Sequence, residues 1–122
     1  MRALALILLA AAGPIEVFER YVDRAAQKAE LARSPVVRVS AHRDRRAWVR
    51  PPFPIIWIDV DYLNTGERAD LCRTAYHEVC HLWLHERNWR DAADHRDVKA
   101  CMKTLGAWRC LYLERIHPWD EW

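Results

Sequence analysis

The chain has 122 residues and a formal net charge of +2 at pH 7. This is the size of one domain, and the near-balanced charge predicts no obligatory polyanionic partner. A hydrophobic content of 52% with seven tryptophans predicts a packed core, and the lack of repeats and low-complexity tracts excludes an intrinsically disordered protein. We expect a single domain over residues 13–122.

Residues 1–12, MRALALILLAAA, form an apolar segment ahead of Gly13-Pro14. A basic residue, an apolar run and Ala10-x-Ala12 resemble a secretory leader with its cleavage site, although such leaders usually have about 15–30 residues. The segment is too short to span a bilayer as a helix. The alternative is the apolar start of a first helix that packs on the core. Its shortness favours this alternative and a cytoplasmic location, whereas a leader would imply a secreted or periplasmic protein.

Hydrophobic periodicity predicts an α+β fold with a short antiparallel sheet. The expected elements, in chain order, are a helix over 15–33, strands over 36–42 and 55–64, and helices over 67–87 and 95–115. Ser34-Pro35 ends the first helix, and a proline-rich connection, 43–54, joins the strands. Thr65 is expected to cap the helix over 67–87, and Gly106 is expected to kink the helix over 95–115.

The four cysteines, Cys72, Cys80, Cys101 and Cys110, contain no C-x-x-C spacing, so neither a zinc ribbon nor a thioredoxin-like motif is indicated. Cys72 and Cys80 lie eight residues apart on one predicted helix. Because a helix rises about 1.5 Å per residue, these two thiols are too distant to bridge each other. The sequence therefore predicts four small, buried, reduced thiols.

The stretch YHEVCHLWLHERNWRDAADH, residues 76–95, contains the pattern H-E-x-x-H at His77, Glu78 and His81. On a helical wheel the apolar residues of this helix form one face, and the two histidines lie side by side outside it. Histidines at i and i+4 are suitably spaced to bind one zinc ion. Glu78 is angled away, so we expect it to take a proton from a zinc-activated water that attacks a carbonyl group. The pattern predicts a zinc site rather than an ordinary amphipathic helix.

The third zinc ligand has several candidates. His85 continues the row after His81, but one ion bridges two such steps of a straight helix only awkwardly. His95 follows a polar link and opens the next helix, which can return beside the metal. Asp94 or Asp97 is the remaining alternative, either as ligand or by orienting a ligand histidine. The H-E-x-x-H-x-x-G-x-x-H motif of metzincins is not present.

Residues 76–106 resemble the SprT-like zinc metallopeptidases, which have H-E-x-x-H, a short link and a histidine at the head of a helix with a Leu-Gly ending. The segment IIWIDVDYLNTGERAD is similar to the strand and asparagine that lead into that family's active-site helix. The resemblance covers about residues 15–107 and implies His77, His81 and His95 as zinc ligands and Glu78 as the catalytic acid/base. It implies a small zincin-like, minimal gluzincin-like fold that hydrolyses peptide bonds in proteins. Where the family has glycine after the third histidine, this chain has Arg96, and the family's C-terminal zinc ribbon has no counterpart in residues 107–122.

Two further segments have candidate binding functions. The arginine-rich stretch from Arg38 to Arg50 includes Trp48, and such a segment is capable of contacting nucleic acid, although a solvated loop is the commoner outcome. The strand over 55–63, if it were an edge strand, would offer backbone groups to an extended peptide. The alternative to a peptidase is a non-catalytic, zinc-stabilised module of the same fold that binds peptide or DNA.

Overall fold

A computed structural model describes residues 13–41, 44–87 and 95–112. The fold is α+β, as predicted. Its elements are α1 (Pro14–Ala29), β1 (Val36–Ser40), β2 (Ala47–Val49), β3 (Ile55–Asp59), α2 (Val60–Thr65), α3 (Arg68–Glu86), α4 (His95–Leu105) and a 3₁₀ helix (Ala107–Tyr112). The two interpretations of residues 1–12 concern a segment outside the described residues. Within the described ranges, no helix combines the length and the apolar character needed to cross a membrane.

Helix α1 packs along α3 and buries the apolar face that the sequence predicts, including Phe18 and Val22. It ends four residues before the predicted boundary, at Ala29. Glu30 adopts the left-handed conformation with φ of 53°, and its amide donates to the carbonyl groups of Ala26 and Gln27. This left-handed residue closes the last turn, so the chain leaves the helix before Ser34-Pro35.

The three strands form a mixed sheet in the order β1-β3-β2, which corrects the expectation of an antiparallel sheet. β1 pairs in parallel with β3, and β2 pairs antiparallel with it. The sequence interpretation missed β2 because it has only three residues and lies in the connection before Pro51-Pro52. The second correction concerns β3: it is the central strand, so it has no free edge for a peptide. The third concerns β1: the alternation of apolar and polar residues over 36–42 predicts that Val39 faces the core, but its side chain is 43% exposed.

The strand predicted over 55–64 ends at Asp59, and the chain turns directly into α2. Asp59 is buried, and its carboxylate accepts a hydrogen bond of 3.1 Å from the amide of Tyr62, which caps the helix. Thr65 does not cap α3, contrary to prediction. Its hydroxyl donates to the Asp61 carbonyl one turn earlier, and Glu67 occupies the N-cap position of α3 without a side-chain bond.

Helix α3 is the centre of the fold because it is covered on two sides. One side packs with α1 and the sheet in the main core, through residues such as Cys72, Ala75 and Tyr76. The other packs against α4 in a second cluster formed by Cys80, Leu84, Val98 and Cys101. Most of the apolar face that the helical wheel defines is buried, although Trp83 on that face is only half-buried. Leu84 lies outside that face on the wheel, yet it is 1% exposed.

Two disulfides replace the four reduced thiols predicted from the sequence. Cys72 is bonded to Cys110 and Cys80 to Cys101. As expected, Cys72 and Cys80 do not bridge each other, but each has a partner on the chain that returns along α3. These bonds join α3 to the 3₁₀ helix and to α4 respectively. Gly106, with φ of 80°, separates those two elements and ends α4, where the sequence predicted a kink.

Two adjacent isoleucines of β3 allow a test of which face of the strand is buried. Ile56 is fully buried and its neighbour Ile55 is half-buried. We expect Ile56→Val to lower the free energy of unfolding by about 1 kcal/mol because it removes a buried methylene. Ile55→Val should change it by less than about 0.5 kcal/mol. Urea denaturation of both variants measures this difference. The reverse order would indicate a register shifted by one residue.

Candidate metal centre

Helix α3 holds His77 and His81 one turn apart on the side that faces α4. Their Nε2 atoms are 3.1 Å apart, and their ring centroids are separated by 4.8 Å. The segment contains neither glycine nor proline, so the helix continues through the motif. The i, i+4 spacing therefore places both imidazoles side by side, as predicted.

His95 is the first residue of α4, and it completes a group of three imidazoles. Its ring centroid lies 5.4 Å from that of His77 and 5.9 Å from that of His81. One ring nitrogen from each histidine lies within 4.8 Å of the others. The Cys80–Cys101 bond and the buried Val98 anchor α4 against α3, so the position of His95 depends on that contact.

The geometry of the three nitrogens fits tetrahedral zinc after a small adjustment. Zinc–nitrogen bonds of about 2.0–2.1 Å place two nitrogens about 3.4 Å apart in a tetrahedral site. The 3.1 Å between His77 and His81 is close to this value, while the upper bound of 4.8 Å requires His95 to approach by at most about 1.4 Å. Its ring is exposed at the start of a helix, so a side-chain rotation supplies that movement. Three imidazoles with one open position are the donor set of several catalytic zinc sites.

Electrostatics keep His77 neutral, which is the form that binds a metal. Burial, together with the charges of the neighbouring His81 and His95, lowers its pKa to about 4. A neutral imidazole has a free lone pair, whereas a protonated one repels a cation. The ring is thus ready for coordination at neutral pH.

Glu78 is buried, with 5% of its surface exposed. Its side chain lines the same cleft as His77 and His95. Burial raises the pKa of its carboxyl group to about 7, and the charge of Arg45 opposes this rise. The sequence predicted Glu78 outside the core face, and the structure adds that its side chain is buried where it borders the cleft. A carboxyl group with a pKa near 7 is suited to accept and return a proton.

The cleft has a volume of about 700 Å³, which is large enough for several residues of a peptide. One wall is formed by α3 and α4, through Thr74, Lys99 and Met102 among others. The opposite wall includes Arg45, Arg46 and Ala47, where the chain enters β2. Because β2 lies at the edge of the described sheet, an edge strand borders the candidate metal centre.

The other predicted candidates lie elsewhere. His85 lines a separate cavity of about 40 Å³ with Leu31 and Pro52, and Asp97 is not among the three residues whose ligand atoms converge. Asp94 lies outside the described residues. Of the arginine-rich stretch, Arg45 and Arg46 reach the cleft, but Trp48 is 8% exposed and stacks on Trp57 at 6.1 Å. Trp48 is therefore not available to stack on a nucleic-acid base.

Sequence reasoning missed Arg73 and Lys99, which line the cleft from α3 and α4, and did not pair the cysteines. A signal for the pairing was present in the spacing. Cys72 and Cys80 are separated by eight residues, and Cys101 and Cys110 by nine. If the chain returns antiparallel along α3, these nearly equal intervals place the two later cysteines opposite the two earlier ones, which pairs them.

Comparisons of the chain with protein-family models, with curated proteins and with solved structures found no match.

Proposed function

We propose that this protein is a zinc-dependent metallopeptidase of the SprT-like type that hydrolyses peptide bonds in protein substrates. The observation that carries the proposal is the convergence of His77, His81 and His95 beside a buried glutamate in an open cleft. The H-E-x-x-H motif and the resemblance of residues 76–106 support the same function. A purely structural zinc site would be closed by a fourth protein ligand, and it has no need of a buried carboxyl group beside it.

In this proposal the three histidines would hold zinc through ring nitrogens. A bound ion would supply Lewis acidity, which lowers the pKa of a water molecule to about 7 and polarises the carbonyl group of the substrate. The Glu78 carboxylate accepts a proton from water as the water oxygen adds to the carbonyl carbon, and it delivers that proton to the departing amine as the C–N bond breaks. Burial raises the pKa of Glu78 to about 7, so the same carboxyl group is able both to accept the proton and to give it up.

The edge strand β2 supports peptide as the substrate. An extended chain lying in the cleft passes between α3 and the segment from Arg45 to Ala47, parallel to the edge of the sheet. Substrates in an extended conformation are unfolded or exposed segments of proteins. This role replaces the one that the sequence interpretation gave to the strand over 55–63.

The first test is metal binding linked to cleavage. We expect the purified wild type to hold about one zinc ion per chain and to cleave an unfolded protein such as casein. A chelator should stop cleavage, and added zinc should restore it. His77→Ala should lose both the metal and the activity because it removes one of three ligands.

His85→Ala is the matched control, since it makes the same substitution on the same helix, two turns after His77 and outside the cluster. It should keep both zinc and activity. Metal analysis and electrophoresis of the digests measure the two properties. A wild type that cleaves nothing, but unfolds when zinc is removed, would establish the non-catalytic zinc-stabilised module instead. Less than about one zinc per chain in the wild type would remove the basis of both functions.

A further inference from the structure

Among the described residues, four cationic side chains line the cleft together with His77 and His95. They come from the β2 side and from both helices: Arg45, Arg46, Arg73 and Lys99. Two of them are engaged within the protein, because Arg73 forms a salt bridge with Asp70 and the guanidinium of Arg46 lies 5.2 Å over the ring of Tyr62. Arg45 and Lys99 are exposed, and neither forms a salt bridge with another described residue, although the charge of Arg45 acts on Glu78. These two are available to a ligand.

The cations of the two helices lie on the same side of the histidine cluster. Helices α3 and α4 run antiparallel, since Cys80 meets Cys101 while the earlier Cys72 meets the later Cys110. Arg73 precedes His77 by one helical turn, and Lys99 follows His95 by one turn. In antiparallel helices these displacements have the same direction, and each corresponds to about 6 Å along the axis. A positively charged zone therefore lies about two extended residues from the candidate metal centre.

Beyond this zone the cleft continues into an apolar groove. A second cavity of about 250 Å³ shares Arg73, Lys99 and Met102 with the cleft and extends to Trp108 and Leu111. Trp108 and Leu111 are each 55% exposed. The shared residues make the cleft and the groove one continuous surface, and a ligand in the first has direct access to the second. A large exposed apolar surface with a charged border is typical of a binding site.

We propose that the cleft selects peptides with a carboxylate about two residues from the scissile bond and a large apolar side chain beyond it. The carboxylate lies between Arg45 and Lys99, and the apolar side chain occupies the groove formed by Met102, Trp108 and Leu111. This inference rests on the proposed function, because it names the substrate class of the same site. Charge complementarity selects the substrate, since the available groups at the border of the groove are cations.

A peptide fits these features better than a nucleic acid does. The carboxylates of Asp70 and Glu78 line the cleft, and they would repel a nucleic acid, which carries a phosphate at every nucleotide. A peptide has one carboxylate at the required position and apolar side chains elsewhere. The groove also has aliphatic and thioether surfaces, from Leu111 and Met102, which suit an apolar side chain.

The experiment compares matched peptides that differ in one atom group. One peptide contains Asp or Glu at the second residue from the scissile bond, followed by Leu or Phe. Its partner contains Asn or Gln at that position instead. Separate series place the acidic residue on each side of the scissile bond. We expect the wild type to cleave the acidic peptide with a kcat/KM about tenfold higher, because its carboxylate forms ion pairs with Arg45 and Lys99 that the amide cannot form. In Arg45→Gln/Lys99→Gln this ratio should fall to about one. The control, Arg33→Gln/Arg38→Gln, removes two exposed arginines outside the cleft and should keep the ratio.

A second readout separates this inference from the proposed function. Fluorescence anisotropy of labelled acidic and amide peptides with the Glu78→Gln variant measures binding without cleavage. Acidic preference in binding with no cleavage by the wild type would support the cleft assignment and contradict the peptidase. Cleavage with equal rates for both peptides would retain the peptidase and overturn this inference. C-terminally amidated peptides identify whether a side-chain or a terminal carboxylate is bound. Displacement of the peptide by a single-stranded oligonucleotide of higher affinity would overturn the inference in favour of nucleic acid.

Discussion

Glu78→Gln is expected to reduce kcat/KM for peptide cleavage by about 10²–10⁴-fold, the usual contribution of a general base. Glutamine has nearly the same shape as glutamate but cannot accept a proton from water. The three histidines remain in place, so the variant should still hold about one zinc ion per chain. Its stability should not fall, because the substitution removes an ionisable group from a site where Glu78 is 5% exposed. Single-peptide kinetics, metal analysis and thermal unfolding measure the three properties.

The matched control is Glu67→Gln, which makes the same chemical change at the start of the same helix. Glu67 is exposed, and its side chain makes no capping hydrogen bond. This variant should retain the activity of the wild type. If Glu78→Gln cleaves as fast as Glu67→Gln while both hold zinc, Glu78 is not the proton acceptor and the proposed mechanism fails. If Glu78→Gln instead loses zinc, the carboxyl group contributes to the metal site itself.

The part of the site that was predictable from sequence is the part that lies within one helix. His77, Glu78 and His81 are related by helical geometry alone, and their relative positions follow once the segment is recognised as helical. The position of His95 depends on how α4 returns, which involves a link whose residues 88–94 carry no apolar periodicity. Sequence reasoning therefore gave His95 as one of several candidates, and the structure brings it beside the other two histidines.

The errors in the fold prediction share a physical origin in tertiary contacts. On the helical wheel Leu84 lies outside the apolar face of α3, but it is buried because α4 covers a second side of that helix. The segment after Asp59 contains Val60, Tyr62 and Leu63, whose composition suits a strand. The buried Asp59 carboxylate caps that segment, and the cap stabilises a helix instead. β2 is too short to produce an alternating pattern, and its pairing with β3 is visible only in the sheet.

The two disulfides affect both the stability of the domain and its candidate metal centre. Two disulfides in a small domain are typical of proteins that fold in an oxidising compartment. They also supply stability that a core of this size provides only marginally. The Cys80–Cys101 bond has a further effect, since it joins the helix that carries His77 and His81 to the helix that carries His95.

Cys80→Ala/Cys101→Ala is expected to weaken zinc binding as well as folding. This disulfide closes a loop of 21 residues, so its removal should lower the free energy of unfolding by about 3 kcal/mol. The same loop contains His81 and His95, and without the bond the packing of residues such as Leu84 and Val98 in one cluster has to hold α4 against α3. His95 then spends less time near the other two histidines, and the affinity for zinc falls by about 10–100-fold. Denaturant unfolding and competition with a chromogenic chelator measure the two effects.

Cys72→Ala/Cys110→Ala provides the matched control, because it removes the other disulfide from the same helix. Its loop of 38 residues predicts a slightly larger loss of stability, about 4 kcal/mol. This bond does not attach α4, which carries His95, because it joins α3 to the 3₁₀ helix beyond Gly106. At a temperature where both variants are folded, this control should bind zinc nearly as tightly as the wild type. Equal loss of affinity in the two variants would show that zinc binding follows overall stability rather than the attachment of α4. Unchanged affinity in both would show that α4 positions His95 without the covalent bond.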